Sequence, residues 1–437
     1  MIGRNRDWAT GRLLRMRRTR RQGFRSSFSR PSCSIRPRSS HCPSRPVAPS
    51  PFRPVVLLAL TPNPSIALSS LVKPSRRLSA LLLLFLLVAP AVGFNWTLIK
   101  IDNRDYIPLE DVARFYKFDT FLVSNGVVNL SNSTTKFQTQ DGSRELYLNG
   151  LKFILNYPIQ DSGGQLLISR MDLAKIVEPV LRPAKIRTSP ARVIVLDAGH
   201  GGTDTGARSI LGMEKDYALD VVLRARELLV RNGYIVRLSR SADVFVPLET
   251  RASFANHQSN AVFVSVHFNF SWGPDAEGIE TYCLAPRGVP ATNDPVPSLS
   301  DMFACVGNIR DPENIALATA MHASLITRLA APDRGIKRAR FVVLRDNLIP
   351  SVLIEGGFLT NARDAVRIAS SAYRQLMADA IFHAILTYNH AVSSSYPPPP
   401  RFLAKQRTPP TTVDPTVGSV IWNPVRGVTH EFIAKPR

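Results

Sequence analysis

The chain has 437 residues and a mass of 48.3 kDa, and 44% of its residues are hydrophobic, enough apolar surface for a sizeable core and two ordinary domains. A formal net charge of +22 and a pI near 10.5 suggest an acidic polymer such as nucleic acid as partner. Residues 1–78, however, hold 17 Lys and Arg against one acidic residue, Asp7, so 17 − 1 = +16 of the charge sits there and +6 remains downstream. No nucleic-acid motif accompanies those arginines, so nucleic-acid binding is excluded for the part of the chain expected to fold.

Residues 1–71, with runs such as RLLRMRRTRRQGFRSS, are rich in Arg, Ser and Pro and lack apolar periodicity, so they are expected to be disordered. Behind them, KPSRRLSALLLLFLLVAPAVGF reads as an export signal over 72–93. Lys73, Arg76 and Arg77 make its basic start, Leu78 to Val88 its apolar run, and Ala89-Pro90-Ala91 or Ala91-Val92-Gly93 its small-residue cleavage site. That run is too short to span a bilayer, so no stable membrane anchor is expected after cleavage. Export signals normally open a protein. A true start at Leu71 or Val72 is therefore expected, with a genuine basic arm as the alternative. Outside the cytoplasm Cys283 and Cys305 could form a disulfide, although two buried free thiols fit their spacing equally well. Cys33 and Cys42 fall in the doubtful segment, and no spacing suggests a zinc knuckle.

From Phe94 to Pro183 short strand-like runs (WTLIKID, GVVNLS, ELYLNG, KFILN) alternate with turn residues. Two stretches there are alike, DYIPLEDVARFYKF and LLISRMDLAKIVEPV, each an apolar strand end followed by a short amphipathic helix. A small α+β accessory domain over 94–183 is expected, serving as stalk or spacer. It resembles the copper amine oxidase N-terminal-like domains found beside cell-wall enzymes, but no clustered ligands point to copper chemistry.

A Pro-marked joint, 184–191, leads to a second unit over 192–390. VIVLDAG reads as a strand, and EKDYALDVVLRARELLVRNG as a helix with Ala218, Val221, Val222, Ala225, Leu228 and Leu229 on one face, stopped by Gly233. YIVRLSR, AVFVSVHFN, GIETYCL, FVVLR and PSVLIEGG read as further strands. LETRASFANHQS, ENIALATAMHASLITRLA and ARDAVRIASSAYRQLMADAIFHAILTY read as helices. The alternation predicts an α/β fold, a mostly parallel sheet flanked by helices on both faces. The tail 391–437 is Pro- and Thr-rich and expected to be disordered.

Of the eight histidines, only His200 and His267 stand where an apolar strand breaks into a loop. Parallel strands bring their carboxyl ends to one edge, so the two imidazoles can converge. Glu214 opens the next helix, with thirteen residues between it and His200. A carboxylate there suits the helix dipole, yet His, Glu and His also suit Zn²⁺, and three protein ligands leave one position for water, the catalytic arrangement. Glu355, in PSVLIEGGFLTN, closes another apolar strand, and two glycines behind it are expected to leave space at its side. A carboxylate at a buried edge is costly without a partner or a task, and the expected task is general base.

Taken in order, DAGHGG, GMEKD, SVHFN and RGIKRARFVVLRDNLIPSVLIEGGFLTN resemble the zinc-dependent N-acetylmuramoyl-L-alanine amidases of type 3, over about residues 192–388. The resemblance implies His200, Glu214 and His267 as zinc ligands and Glu355 as the catalytic glutamate. It implies peptidoglycan as substrate, cut at the amide between N-acetylmuramic acid and L-alanine, in the periplasm, cell envelope or medium. Asn269 and Arg340, with Arg345, are expected near the acidic stem peptide, solvated arginines being the alternative. The Pro-rich insertion APRGVPATNDPVPSLSDMFACVGNIRDPE lies where some relatives carry a regulatory helix that plugs the zinc site. It shows no amphipathic helix, so neither autoinhibition nor a particular regulatory partner is expected from it. Rival readings are a zinc carboxypeptidase-like hydrolase of wall peptides and a non-catalytic wall-binding module.

Overall fold

The computed structural model describes residues 94–393 except Pro295. The basic segment, the export signal and nearly all of the Pro-rich tail lie outside the described residues. Ala391 and Val392, expected to open the tail, instead close the last helix.

The first elements are β1 (Ile99–Ile101), β2 (Arg104–Pro108), α1 (Leu109–Tyr116), β3 (Thr120–Ser124), β4 (Val127–Ser131), β5 (Lys136–Gln140), β6 (Glu145–Leu148), β7 (Leu151–Ile154), β8 (Gln160–Ser162) and β9 (Gln165–Ser169). Helical turns over 170–181 follow, wound as a π-helix at Leu173–Val177. The two look-alike stretches pair with each other: β2 and β9 run antiparallel, Ile107 opposite Ile168, inside a four-stranded sheet of order β1-β2-β9-β8. Each then turns into its helix, and Leu109, Val112, Ile176 and Val177 enter the core from there.

Next come β10 (Val193–Ala198), β11 (Arg208–Ser209), β12 (Gly212–Met213), α2 (Glu214–Arg231), β13 (Ile235–Leu238), α3 (Leu248–Asn256), β14 (Ala261–Asn269), β15 (Ile279–Leu284), α4 (Asp311–Leu329), β16 (Asp333–Ala339), β17 (Ser351–Phe358), α5 (Ala362–Ala369) and α6 (Ser371–Val392). β10 and β13 to β17 form one sheet with β3 to β7, in the order β13-β10-β14-β17-β15-β16-β7-β6-β5-β4-β3, while β11 and β12 pair with each other. The fold is α/β, and within 192–390 the sheet is mostly parallel, only one of its five strand pairings being antiparallel, whereas β3 to β7 are antiparallel throughout. β13, β10, β14 and β17 are parallel, and β15 runs against β17. The cause is the short connection 270–278. A parallel return needs a crossover of a dozen residues or more, so a chain turning back after so few must enter β15 from the edge where β14 ended.

Period-two alternation sorts the residues between two faces. Ile194, Leu196, Val262, Val264, Val266, Val352 and Ile354 join the larger core with Ala218, Val221 and Val222 of α2, Leu317 and Met321 of α4 and Ile381 and Ile385 of α6. Val195, Phe263, Leu353, Tyr282 and Leu284 meet Ala255 of α3 and Val343 and Leu344 on the other. By the same alternation Asp197, Ser265, His267, Glu355 and Glu280 belong to this second, thinner face.

Three expectations change. FVVLR is not a strand: Val342–Arg345 is a one-turn helix, and the strand is the preceding DRGIKRA, whose charged residues hide its pattern because they are paired. The single long C-terminal helix is two, broken at Ser370. The small domain expected over 94–183, with its linker, is instead continuous with the rest: β7 pairs with β16 at Phe153 and Ile336, Lys175 Nζ reaches Asp311 at 2.9 Å, and Arg338 Nη2 donates to the Lys175 carbonyl at 2.7 Å. Without β7, the edge of β16 would stand unpaired.

Candidate functional site

At the carboxyl end of β10 the chain makes a tight loop, and His200 sits there with φ of 58°. A non-glycine residue held in the left-handed region is strained, and such strain persists only where surrounding contacts impose it. Two buried arginines impose it. Arg251 of α3 donates to the carbonyls of Ala198 and His200, both at 2.6 Å, and pairs with Asp197 at 2.7 Å. Arg240 donates to the carbonyls of Ala198 at 2.9 Å and Gly199 at 2.7 Å. Asp197, fully buried, is bound further by the hydroxyls of Ser239 and Ser265. Burial alone would raise its pKa, but Arg251 and the two serines hold it below the usual carboxylate range.

His200, Glu214 and His267 come together there. His200 Nε2 lies 3.0 Å from Glu214 Oε1, and His267 Nδ1 lies 2.8 Å from the same oxygen. One ligating atom from each of the three falls within 4.8 Å of the others. Glu214 is oriented by the backbone amides of Ala207 at 2.7 Å and Phe268 at 3.1 Å, and His200 Nδ1 by Asp204 Oδ2 at 2.9 Å. Fixing the far nitrogen of a histidine to a carboxylate is the usual way a metal-ligating imidazole is aimed. Burial opposes charge on His200, but Glu214 and Asp204 outweigh it and raise its pKa to about 10. Burial likewise opposes charge on Glu214, and the two histidines hold its carboxyl far below the usual range.

The glycines of the opening motif have particular tasks. A methyl group on Gly199 would stand 2.4 Å from Cε1 of His267, so the imidazole of one strand lies directly on the backbone of the next. Gly206, at φ of 63°, is needed twice over, for its conformation and because a methyl there would stand 2.4 Å from Glu214 Oε2.

Glu355 lies opposite His267 in the β14–β17 register and opposite Glu280 in the β17–β15 register. Three adjacent strands thus place His267, Glu355 and Glu280 in one row on one face. Glu355 Oε2 is shielded from solvent and has no hydrogen-bond partner among the described residues. That burial, then the charges of Glu214 and Glu280, push its pKa well above the ordinary value. The space expected beside Glu355 is not provided by Gly356, which faces the core, where Met377 and Phe268 approach it.

The remaining expected residues are engaged elsewhere. Asn269 Nδ2 donates to Glu280 Oε2 at 3.0 Å. Arg340 pairs with Asp301 at 2.7 Å and donates to the carbonyls of Pro286, Val289 and Asp301, so it anchors the Pro-rich insertion. Arg345 pairs with its neighbour Asp346. The insertion carries two short 3₁₀ turns, Leu299–Met302 and Val306–Arg310, and among its described residues no α-helix before α4 opens at Asp311. Cys283 and Cys305 are both free thiols, beside Arg338 and Arg340 respectively. Sequence reasoning missed Asp197, Asp204, Arg240, Arg251 and Glu280. Of these only Asp204, four residues after His200, left a local signal.

Residues 194–387 match the family described as N-acetylmuramoyl-L-alanine amidase. Similar proteins include the N-acetylmuramoyl-L-alanine amidase AmiA of Escherichia coli (strain K12), 29% identical over 253 residues, which are 52% of this chain and 87% of that protein. The uncharacterized protein YqiI of Bacillus subtilis (strain 168) is 34% identical over 197 residues, 45% of this chain and 84% of its own length. Among solved structures, the N-acetylmuramoyl-L-alanine amidase AmiC2 of Nostoc punctiforme is 33% identical, covering 46% of this chain and 99% of its own, with a TM-score of 0.38.

Proposed function

The chain belongs to the N-acetylmuramoyl-L-alanine amidase family, and from that premise we propose how its own residues hydrolyse the amide between N-acetylmuramic acid and L-alanine in peptidoglycan. His200, Glu214 and His267 hold the metal, and Glu355 is the general base. The observation that carries this reading is the convergence of those three ligands, with Glu355 next to His267 in the strand register.

The donor set fits zinc: two imidazoles and a carboxylate, each with a partner that aims it, and none a cysteine of the kind that closes a structural site. Zinc held there supplies a Lewis acid that makes water nucleophilic near neutral pH and polarises the scissile carbonyl. Glu355 takes a proton from the attacking water and returns it to the leaving amine of L-alanine, a contribution of about 10²- to 10⁴-fold. Its Oε2, which has no hydrogen-bond partner among the described residues, is free to take that proton and to pass it to the amine nitrogen as the C–N bond breaks. Arg240 and Arg251 keep the His200 loop rigid, and Asp204 keeps its imidazole aimed. Export to the cell envelope accords with the site of the polymer.

The test is digestion of purified sacculi with products read by mass spectrometry, together with zinc content. The expected products are free stem peptides beginning with L-alanine. Glu355→Gln should keep zinc and lose about 10²-fold or more in turnover. Release of single terminal residues would instead indicate a carboxypeptidase, and near-normal turnover by Glu355→Gln would remove its assignment as base.

A further inference from the structure

The same sheet edge carries a second charged cluster that hydrolysis itself does not use. Because β15 and β16 run against β17, they bring their first residues to this edge: Glu280 on β15 and Arg334 on β16. Glu280, 2% exposed, accepts hydrogen bonds from Lys337 Nζ at 2.5 Å, Arg334 Nε at 2.7 Å, Tyr282 Oη at 2.6 Å and Asn269 Nδ2 at 3.0 Å. Both of its oxygens are occupied, and one negative charge faces two cations. Lys337 is buried with it, whereas the Arg334 side chain is 37% exposed and its guanidinium lies 5.0 Å over the ring of Phe358. Nε is tied to Glu280, and among the described residues neither Nη of Arg334 has a hydrogen-bond partner.

A planar fork, fixed at one nitrogen and stacked on a ring, is preorganised for a carboxylate, which it can hold with two parallel hydrogen bonds. Its distance from the reacting bond is bounded by the register. Glu280 faces Glu355 across one strand spacing of about 5 Å, and Arg334 lies one hydrogen bond beyond. That reach matches about two residues of extended peptide at roughly 3.5 Å each. We infer that Arg334, held by Glu280, is a specificity residue that binds the α-carboxylate of the second stem residue, the one following the L-alanine whose amide is cut, in stems where that residue is an acidic one joined onward through its side-chain carboxyl and so keeps its α-carboxylate free. This rests on the amidase reading of the site. The partner is an acidic peptide stem. A stem amidated at that carboxyl offers a carboxamide, which cannot form the charged pair.

The experiment uses the full-length chain with three synthetic N-acetylmuramoyl peptides: one with the free carboxylate at the second residue, one amidated there, and one amidated only at the third residue. Calorimetric binding of the corresponding released stem peptides is measured alongside. The expected result is a kcat/KM about tenfold or more higher for the free second-residue carboxylate, mainly through KM, with the same preference in peptide binding. Arg334→Gln should bring that ratio to within about twofold, and Arg334→Lys should retain part of it. Equal treatment of the substrates by the wild type, discrimination only at the third residue, or a preference that survives in Arg334→Gln would each overturn the inference. Failure to cleave any substrate would instead sink the amidase reading, and the binding comparison would still decide the role of Arg334.

Discussion

Asp204 and Gly199 act on His200 and His267, proposed metal ligands, without being proposed as ligands themselves. Asp204 binds Nδ1 of His200, so Asp204→Ala frees the ring to rotate and lets its tautomer drift. Zinc affinity is expected to fall about 10- to 100-fold, measured by chelator competition, with a smaller effect on thermal stability because the aspartate side chain is 42% exposed. Gly199→Ala acts by volume. The added methyl must displace the His267 imidazole or separate β10 from β14, so weakened zinc binding is expected together with a lowered melting temperature. Unchanged zinc affinity in both variants would mean that the imidazoles are placed by something other than these contacts. The glycines of DAGHGG could be seen in the sequence as a loop without bulk. That one of them lies under a histidine 68 residues further on could not, because the contact is between strands.

The element that most constrains the site is the end of β10, where Asp197 and Arg251 are paired, each 2% exposed or less. Removing one partner of such a pair leaves a buried charge, so Arg251→Met should destabilise by about 3–5 kcal/mol. The pH dependence provides a second readout. In the wild type the folded-state pKa of Asp197 is lowered, so its contribution is present above its unfolded value of about 4 and lost as pH falls through the folded value. Without Arg251, burial should raise that pKa above the unfolded value. The contribution is then present in acid and lost as pH rises, so the variant should gain stability relative to wild type between about pH 7 and pH 5. Denaturant titrations across that range check the sign, and a parallel decline of both proteins would refute it. The motif LETRASFAN was legible as a helix, but its arginine was not legible as the clamp on His200, since nothing in a helical period tells which loop an arginine reaches.

For the molecule as a whole, the shared sheet decides how stability is distributed. Phe153 of β7 is fully buried and lies opposite Ile336 of β16, so the first half closes the edge of the half that carries the site. Scanning calorimetry of the full-length chain is expected to show one unfolding transition with matching calorimetric and van't Hoff enthalpies. Phe153→Ala should lower that whole transition, costing about 3–5 kcal/mol. Two transitions, with only the first moved by Phe153→Ala, would mean that the halves unfold independently despite the pairing. In the sequence LRPAKIRTSPAR looks like a linker between them. Composition reveals where a chain is irregular but not whether strands on either side of the irregularity pair.

Residue order alone determined the α/β alternation, the strand ends that carry His200, His267 and Glu355, and the helix start that carries Glu214. These follow from local periodicity and from the tendency of sheets to gather sites at one edge. Tertiary structure decided the direction of β15 and β16, the row His267, Glu355 and Glu280, the arginine clamp, and the diversion of Arg340 to the insertion. Each depends on which segments become neighbours. A charged side chain in a sequence carries no mark of the partner it will meet, whereas an apolar one need only find the interior.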